Sequence, residues 1–177
     1  MSIFSQNAVD QETFMERYYL ARDSYKDLPE IYGPFAASKY TLEEYMKRYY
    51  AFRDAYTALP KYHGQFAGSE FSPQVFEKRY YQVKSAYPEL YDLHGDYAAS
   101  PYPLEEFQQR YNHIKATYPK LKKLHGPYAA SQHKLEEFLK RYYAVKEACP
   151  KLNDAEQASY ARSTRKLDEG GAKKPAQ

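Results

Sequence analysis

Apolar and aromatic residues fall along the chain in a 4, 3, 4, 3 rhythm. Phe14, Tyr18, Ala21, Tyr25 and Leu28 form the first such stripe, and Tyr45, Tyr49, Phe52, Tyr56 and Leu59 the second. Three more follow: Phe76, Tyr80, Val83, Tyr87, Leu90; Phe107, Tyr111, Ile114, Tyr118, Leu121; and Phe138, Tyr142, Val145, Cys149, Leu152. Residues three and four apart share one face of an α-helix, whereas a strand would alternate with period two. The pattern therefore predicts five amphipathic helices of about 16 residues. Thr41 with Glu44 forms a capping box before the second, and Ser72-Pro73 places a cap and a first-turn proline before the third. The acids of Leu-Glu-Glu at 42–44, 104–106 and 135–137 suit the positive end of the helix dipole.

Each stripe ends near a proline. Pro88, Pro119 and Pro150 follow the fourth stripe residue directly, and Pro29 and Pro60 come three residues later than that, four after the fourth stripe residue. Proline stops the long helix and suits the first turn of a new one. "PELYDLHG" and "PKLKKLHG" then read as a short second helix closed by glycine at its C-terminal cap. The following Gly-x-[Phe/Tyr]-Ala-[Ala/Gly]-Ser reads as a loop.

These marks recur with one period. Arg17, Arg48, Arg79, Arg110 and Arg141 are 31 residues apart, as are Gly33, Gly64, Gly95 and Gly126. A fixed period of this size signals tandem units that pack on their neighbours. We expect five units at about 8–38, 39–69, 70–100, 101–131 and 132–153, the last one truncated. A capping helix over 154–168 and a flexible tail over 169–177 follow. The expected fold is all-α, with a long and a short helix per unit in an α-solenoid-like array; a compact helical bundle is the alternative.

Composition narrows the chemistry. The chain has 22 Tyr and 9 Phe but no Trp, so its core is built largely of rings whose hydroxyls need partners. Residues 1–131 carry 16 basic and 16 acidic side chains. A protein that lives on phosphate contacts would show a basic excess over its repeats. The single cysteine, Cys149, excludes an internal disulfide and fits a reducing compartment. "MSIFSQNAVD" lacks an apolar signal core, and no 18-residue apolar run occurs. The expected location is intracellular, cytoplasmic or cytoskeletal, away from any membrane.

The Arg-Tyr-Tyr triplets are the candidate site. Tyr18, Tyr49, Tyr80 and Tyr142 lie on the stripe, so the preceding Arg and the following Tyr sit about 100° to either side of it. Arg17, Arg48, Arg79, Arg110 and Arg141, with Tyr19, Tyr50, Tyr81 and Tyr143, then form rows that could dock protein partners, because Arg and Tyr are enriched at interface hot spots. The structural alternative pairs each Arg with an acid of an adjacent unit or with a ring. His63, His94 and His125 precede glycines and read as C-terminal caps. Equivalent positions in stacked helices lie too far apart to share a metal. No nucleophile elbow, zinc-protease motif, phosphate loop or dinucleotide fingerprint is present. The expectation is thus a non-enzymatic, Tyr-rich scaffold without cofactor or metal. It would bind protein partners in a large and periodic assembly, a cytoskeletal filament or a multi-subunit complex. RNA binding, with bases stacked on Tyr and phosphates on Arg, is the second reading.

Overall fold

The computed structural model describes the backbone of residues 3–163 and the side chains of residues 11–163. Among these residues there are ten α-helices and no strand. Five are long: α1 (Ile3–Ser24), α3 (Leu42–Ala55), α5 (Pro73–Ala86), α7 (Leu104–Thr117) and α9 (Leu135–Ala148). Each is followed by a short one: α2 (Tyr32–Ala37), α4 (His63–Gly68), α6 (Tyr91–Ala99), α8 (Lys122–Ala130) and α10 (Asp154–Arg162). The starts follow the sequence signals. Thr41 and Glu44 make the reciprocal capping box of α3, and Ser72 Oγ accepts from Val75 N–H ahead of Pro73. The long helices end one residue before a stripe position, at Tyr56, Tyr87, Tyr118 and Cys149, whose backbone turns out of the helix. Where proline comes late, at Pro29 and Pro60, a 3-10 turn leads into the short helix.

The short helices pack side by side in the order α2, α4, α6, α8, α10, and α10 packs back against α2. The array is therefore a closed ring. Each short helix is backed on the outside by the long helix before it. Core clusters bridge neighbouring units. One joins Ile31, Tyr32 and Phe35 of the first unit to Tyr45, Met46, Tyr49 and Ala67 of the second. The next joins Phe52 and Phe66 to Phe76, Tyr80 and Ala98.

Closure gives the helix expected as a terminal cap over 154–168 a place inside the array, between α8 and α2. The helix spans Asp154–Arg162 and does the work of a fifth short helix. It is capped by Asn153: Asn153 Oδ1 accepts from Glu156 N–H at 2.8 Å, and Glu156 Oε1 accepts from Asn153 N–H at 3.0 Å. A cluster of Phe14, Ala36, Val145, Leu152 and Tyr160 seals the seam between first and last units. There the Phe14 and Tyr160 rings meet edge to face at 5.3 Å, and Tyr18 Oη donates to Glu156 at 2.9 Å. Burying this apolar face removes the exposed end that an open array must cover with polar residues. Residues 164–168 and the expected tail at 169–177 lie outside the described residues.

The glycines also differ from expectation. Gly33, Gly64, Gly95 and Gly126 lie inside or at the start of the short helices, and none has a positive φ. They serve close approach. A Cβ on Gly95 would lie 2.5 Å from the Tyr62 ring and would collide with Gln65 of the preceding short helix. The presumed loop after them is the second half of the short helix. Serine stops that helix: Ser38, Ser69 and Ser100 turn to extended backbone, and each Oγ bonds back to the carbonyl three residues earlier at 2.8–2.9 Å.

Candidate functional site

The arginine row faces inward. Arg48 Nε donates to the Ala67 carbonyl at 3.0 Å. Its Nη2 lies 3.1, 2.9 and 2.7 Å from the carbonyl oxygens of Phe66, Ser69 and Phe71. Arg79 repeats this on Ala98, Tyr97, Ser100 and Tyr102 at 2.7–3.2 Å. Arg17 does so on Ala36, Phe35, Ser38 and Tyr40, and Arg110 on Ala129, Tyr128 and His133. Arg141 is buried and donates to Ala161 and Tyr160 at 3.1 and 2.9 Å. Each guanidinium also lies on the aromatic ring of the helix it clamps, at 4.1–4.4 Å. The last carbonyls of a helix have no intrahelical partner and carry its negative dipole end, so a planar cation with five donors satisfies both needs. The arginines thus clamp each short helix to its long one. In the first four units the same guanidinium also reaches a carbonyl at the start of the next unit, at Tyr40, Phe71, Tyr102 and His133.

The second tyrosines point the other way. Tyr19, Tyr81 and Tyr143 are 43%, 45% and 49% exposed, and Tyr50 is partly buried. A cation three residues on covers three of them: Arg22 over Tyr19 at 4.3 Å, Arg53 over Tyr50 at 4.5 Å and Lys84 over Tyr81 at 5.6 Å. The three pairs and Tyr143 mark one outward face on four of the five long helices; the fourth unit has the exposed Asn112 there.

The histidines cap a different helix from the one expected. His63, His94 and His125 Nε2 donate to the carbonyls of Tyr56, Tyr87 and Tyr118 at 2.9–3.0 Å. Those residues end the preceding long helices. Tyr32 Oη does the same to Tyr25 at 2.7 Å. Among the described residues no three His, Cys, Asp or Glu side chains could hold a metal ion, and no helix is long and apolar enough to cross a membrane.

Ring closure creates a feature that the sequence reading missed, a pair of cavities on the axis of the ring. One cavity of about 790 Å³ opens at the N-terminal ends of the short helices, and another of about 280 Å³ at their C-terminal ends. Pro34, Gln65, Asp96, Pro127 and Ser159 form one layer of the first cavity, and Ala37, Gly68, Ala99, Ala130 and Arg162 one layer of the second. Arg162 lines both, so its side chain stands between them. The signal was present in the fifth unit. Tyr160-Ala161-Arg162-Ser163 aligns with Tyr128-Ala129-Ala130-Ser131 at a spacing of 32, one residue longer than the period. A search at a strict step of 31 passes over it.

Asp96 accepts from Gln65 Nε2 at 2.8 Å. Removal from bulk water pushes its carboxyl from 3.8 up to about 6, and Asp92 adds to this. Arg162 and the Gln65 bond oppose it. A folded pKa above the unfolded one contributes stability in full below about pH 4, which is lost as pH rises through about 6. Asp96→Asn is therefore expected to be the more stable protein at pH 7.5, by about 2 kcal/mol. That gap should close at pH 4, as read by denaturant unfolding at both values.

No protein-family model, no curated protein and no solved structure matches this chain.

Proposed function

We propose that this protein is a non-enzymatic scaffold whose outer face binds protein partners through its tyrosine–cation pairs. The supporting observation is the recurrence of exposed Tyr19, Tyr81 and Tyr143 at one register of successive outer helices. Large rings held flat by a neighbouring cation are pre-ordered contact surface, which lowers the entropy cost of docking. The ring changes the kind of assembly that suits them. Successive units face directions a fifth of a turn apart, so a straight filament can meet only neighbouring units at once. A multi-subunit complex that surrounds or caps the ring fits the geometry better. The RNA reading loses its phosphate ligands, because the arginines it needed are bonded to helix carbonyls.

The test is the triple variant Tyr19→Ser, Tyr81→Ser, Tyr143→Ser. Exposed substitutions shift stability by about 0.5 kcal/mol or less each, so melting should change by only a few degrees. Affinity capture at low and high salt should lose the proteins that wild type retains. Capture of the same proteins by both, or of none by wild type, would refute the scaffold reading.

A further inference from the structure

The axial cavities carry a second inference, independent of the outer face. Arg162 occupies a register where the other four units have Ala37, Gly68, Ala99 and Ala130. Four units keep the axis open with small side chains, and the fifth projects a guanidinium into it. Among the described residues, no carboxylate lies within ion-pairing distance of Arg162 and no acceptor within hydrogen-bonding distance. Its side chain is only partly buried and lines both cavities, so its N–H donors face the cavity space and are open to a ligand. What fits them is a planar bidentate acceptor such as a carboxylate.

The remaining lining selects among anions. The larger cavity presents the carboxyl groups of Glu30, Asp92, Asp96, Asp154 and Glu156 against the cations Lys122, Lys123 and Arg162. Lys123 is already held by Asp154 at 3.3 Å. Glu156 is held by Tyr18 and the backbone of Asn153, and Glu30 accepts from Tyr49 at 3.2 Å. Asp92 and Asp96 remain to face a ligand, and Asp96 already receives one bond from Gln65. A doubly charged phosphate entering past these acids would be repelled. A molecule with one carboxylate and one ammonium group meets a complementary charge at each end.

We propose that the central cavity is a binding site for a small zwitterion of the amino-acid or short-peptide class, its carboxylate on Arg162 and its ammonium toward Asp96 and Asp92. The cavity volume of about 790 Å³ is within the range of small-molecule sites and admits either a free amino acid or a short peptide.

The experiment is a thermal-shift screen of the full chain, followed by calorimetric titration. The probes are the free α-amino acids, glycine tripeptides with free and with amidated C-termini, matched compounds carrying only the amine or only the acid, and inorganic phosphate. The expected result is that at least one zwitterion raises Tm saturably, by about 5 °C at ~100 times its Kd. The amine-only and acid-only compounds should bind at least about tenfold more weakly. If the amidated tripeptide fails where the free one binds, the carboxylate is confirmed as the recognised group. Arg162→Met should abolish the shift. Asp96→Asn, which removes a charge without removing the Gln65 contact atom, should weaken it about tenfold while leaving the fold intact. The proposal is overturned if no probe shifts Tm up to ~10 mM. It is also overturned if Arg162→Met binds as wild type does, or if phosphate binds more tightly than every zwitterion.

Discussion

Tyr160→Ala is expected to cost about 3–5 kcal/mol and to loosen the opposite end of the chain. Tyr160 is fully buried, with its ring on Phe14 of α1 and under the Arg141 guanidinium at 4.3 Å. Large-to-small changes in a core lose transfer free energy and leave a cavity, and globular domains hold only about 5–15 kcal/mol in total. The location distinguishes this change from any other core truncation. Phe14 and Ala36 belong to the first unit, and Val145, Leu152 and Tyr160 to the last. In a ring the loss is felt on both sides of the seam, so amide exchange in α1 and α2 should speed up along with that in α9 and α10. Tyr128→Ala, at the equivalent place in the fourth unit, should cost a similar amount and leave exchange in α1 slower than Tyr160→Ala does. Unchanged protection of α1 and α2 in Tyr160→Ala would mean that the seam carries no stability.

Arg79→Met should lower unfolding free energy by about 3 kcal/mol, although Arg79 is not in the apolar core. Its Nη2 alone lies within 2.9 Å of three carbonyl oxygens, those of Tyr97, Ser100 and Tyr102. Methionine retains the stem and removes every donor, leaving the end of α6 with unsatisfied oxygens at its negative pole. Arg79→Lys keeps the charge but offers one compact head in place of a fork. It should recover less than about half of the loss. Denaturant midpoints at constant slope read both values. Full recovery by lysine would make the clamp a matter of charge alone, and a loss under about 1 kcal/mol would make it an ordinary surface contact.

The sequence carried the helices well and their closure poorly, for physical reasons. The stripe at 4, 3, 4, 3 and the caps at Thr41 and Ser72 are local signals, and α3 and α5 begin where those signals place them. Glycine misled because its two uses look alike in a sequence. Gly95 serves close helix packing, but at the end of "PELYDLHG" it reads as a helix stop. The true stop was the serine that follows, whose Oγ folds back on the helix. The arginines misled in a different way. Their partners are backbone carbonyls, which have no sequence signature, so the row had no visible acceptors and read as a surface. Closure depended on one inserted residue in the fifth unit, which displaced the Tyr-Ala-x-Ser mark from its period and hid both α10's place in the ring and Arg162's place on the axis.

The axial cavities and the seam both require α10 to lie against α2. A Cβ placed on Gly33 would lie 3.3 Å from Ser159 Cβ, close to the separation of about 3.5–4.5 Å that a disulfide needs. In a Cys149→Ser background, Gly33→Cys with Ser159→Cys should oxidise to an internal disulfide. The product should be monomeric, should run faster on a non-reducing gel, and should melt higher than its reduced form. An open array holds these two residues at opposite ends. Free thiols after mild oxidation, or disulfides only between separate chains, would contradict the closed ring.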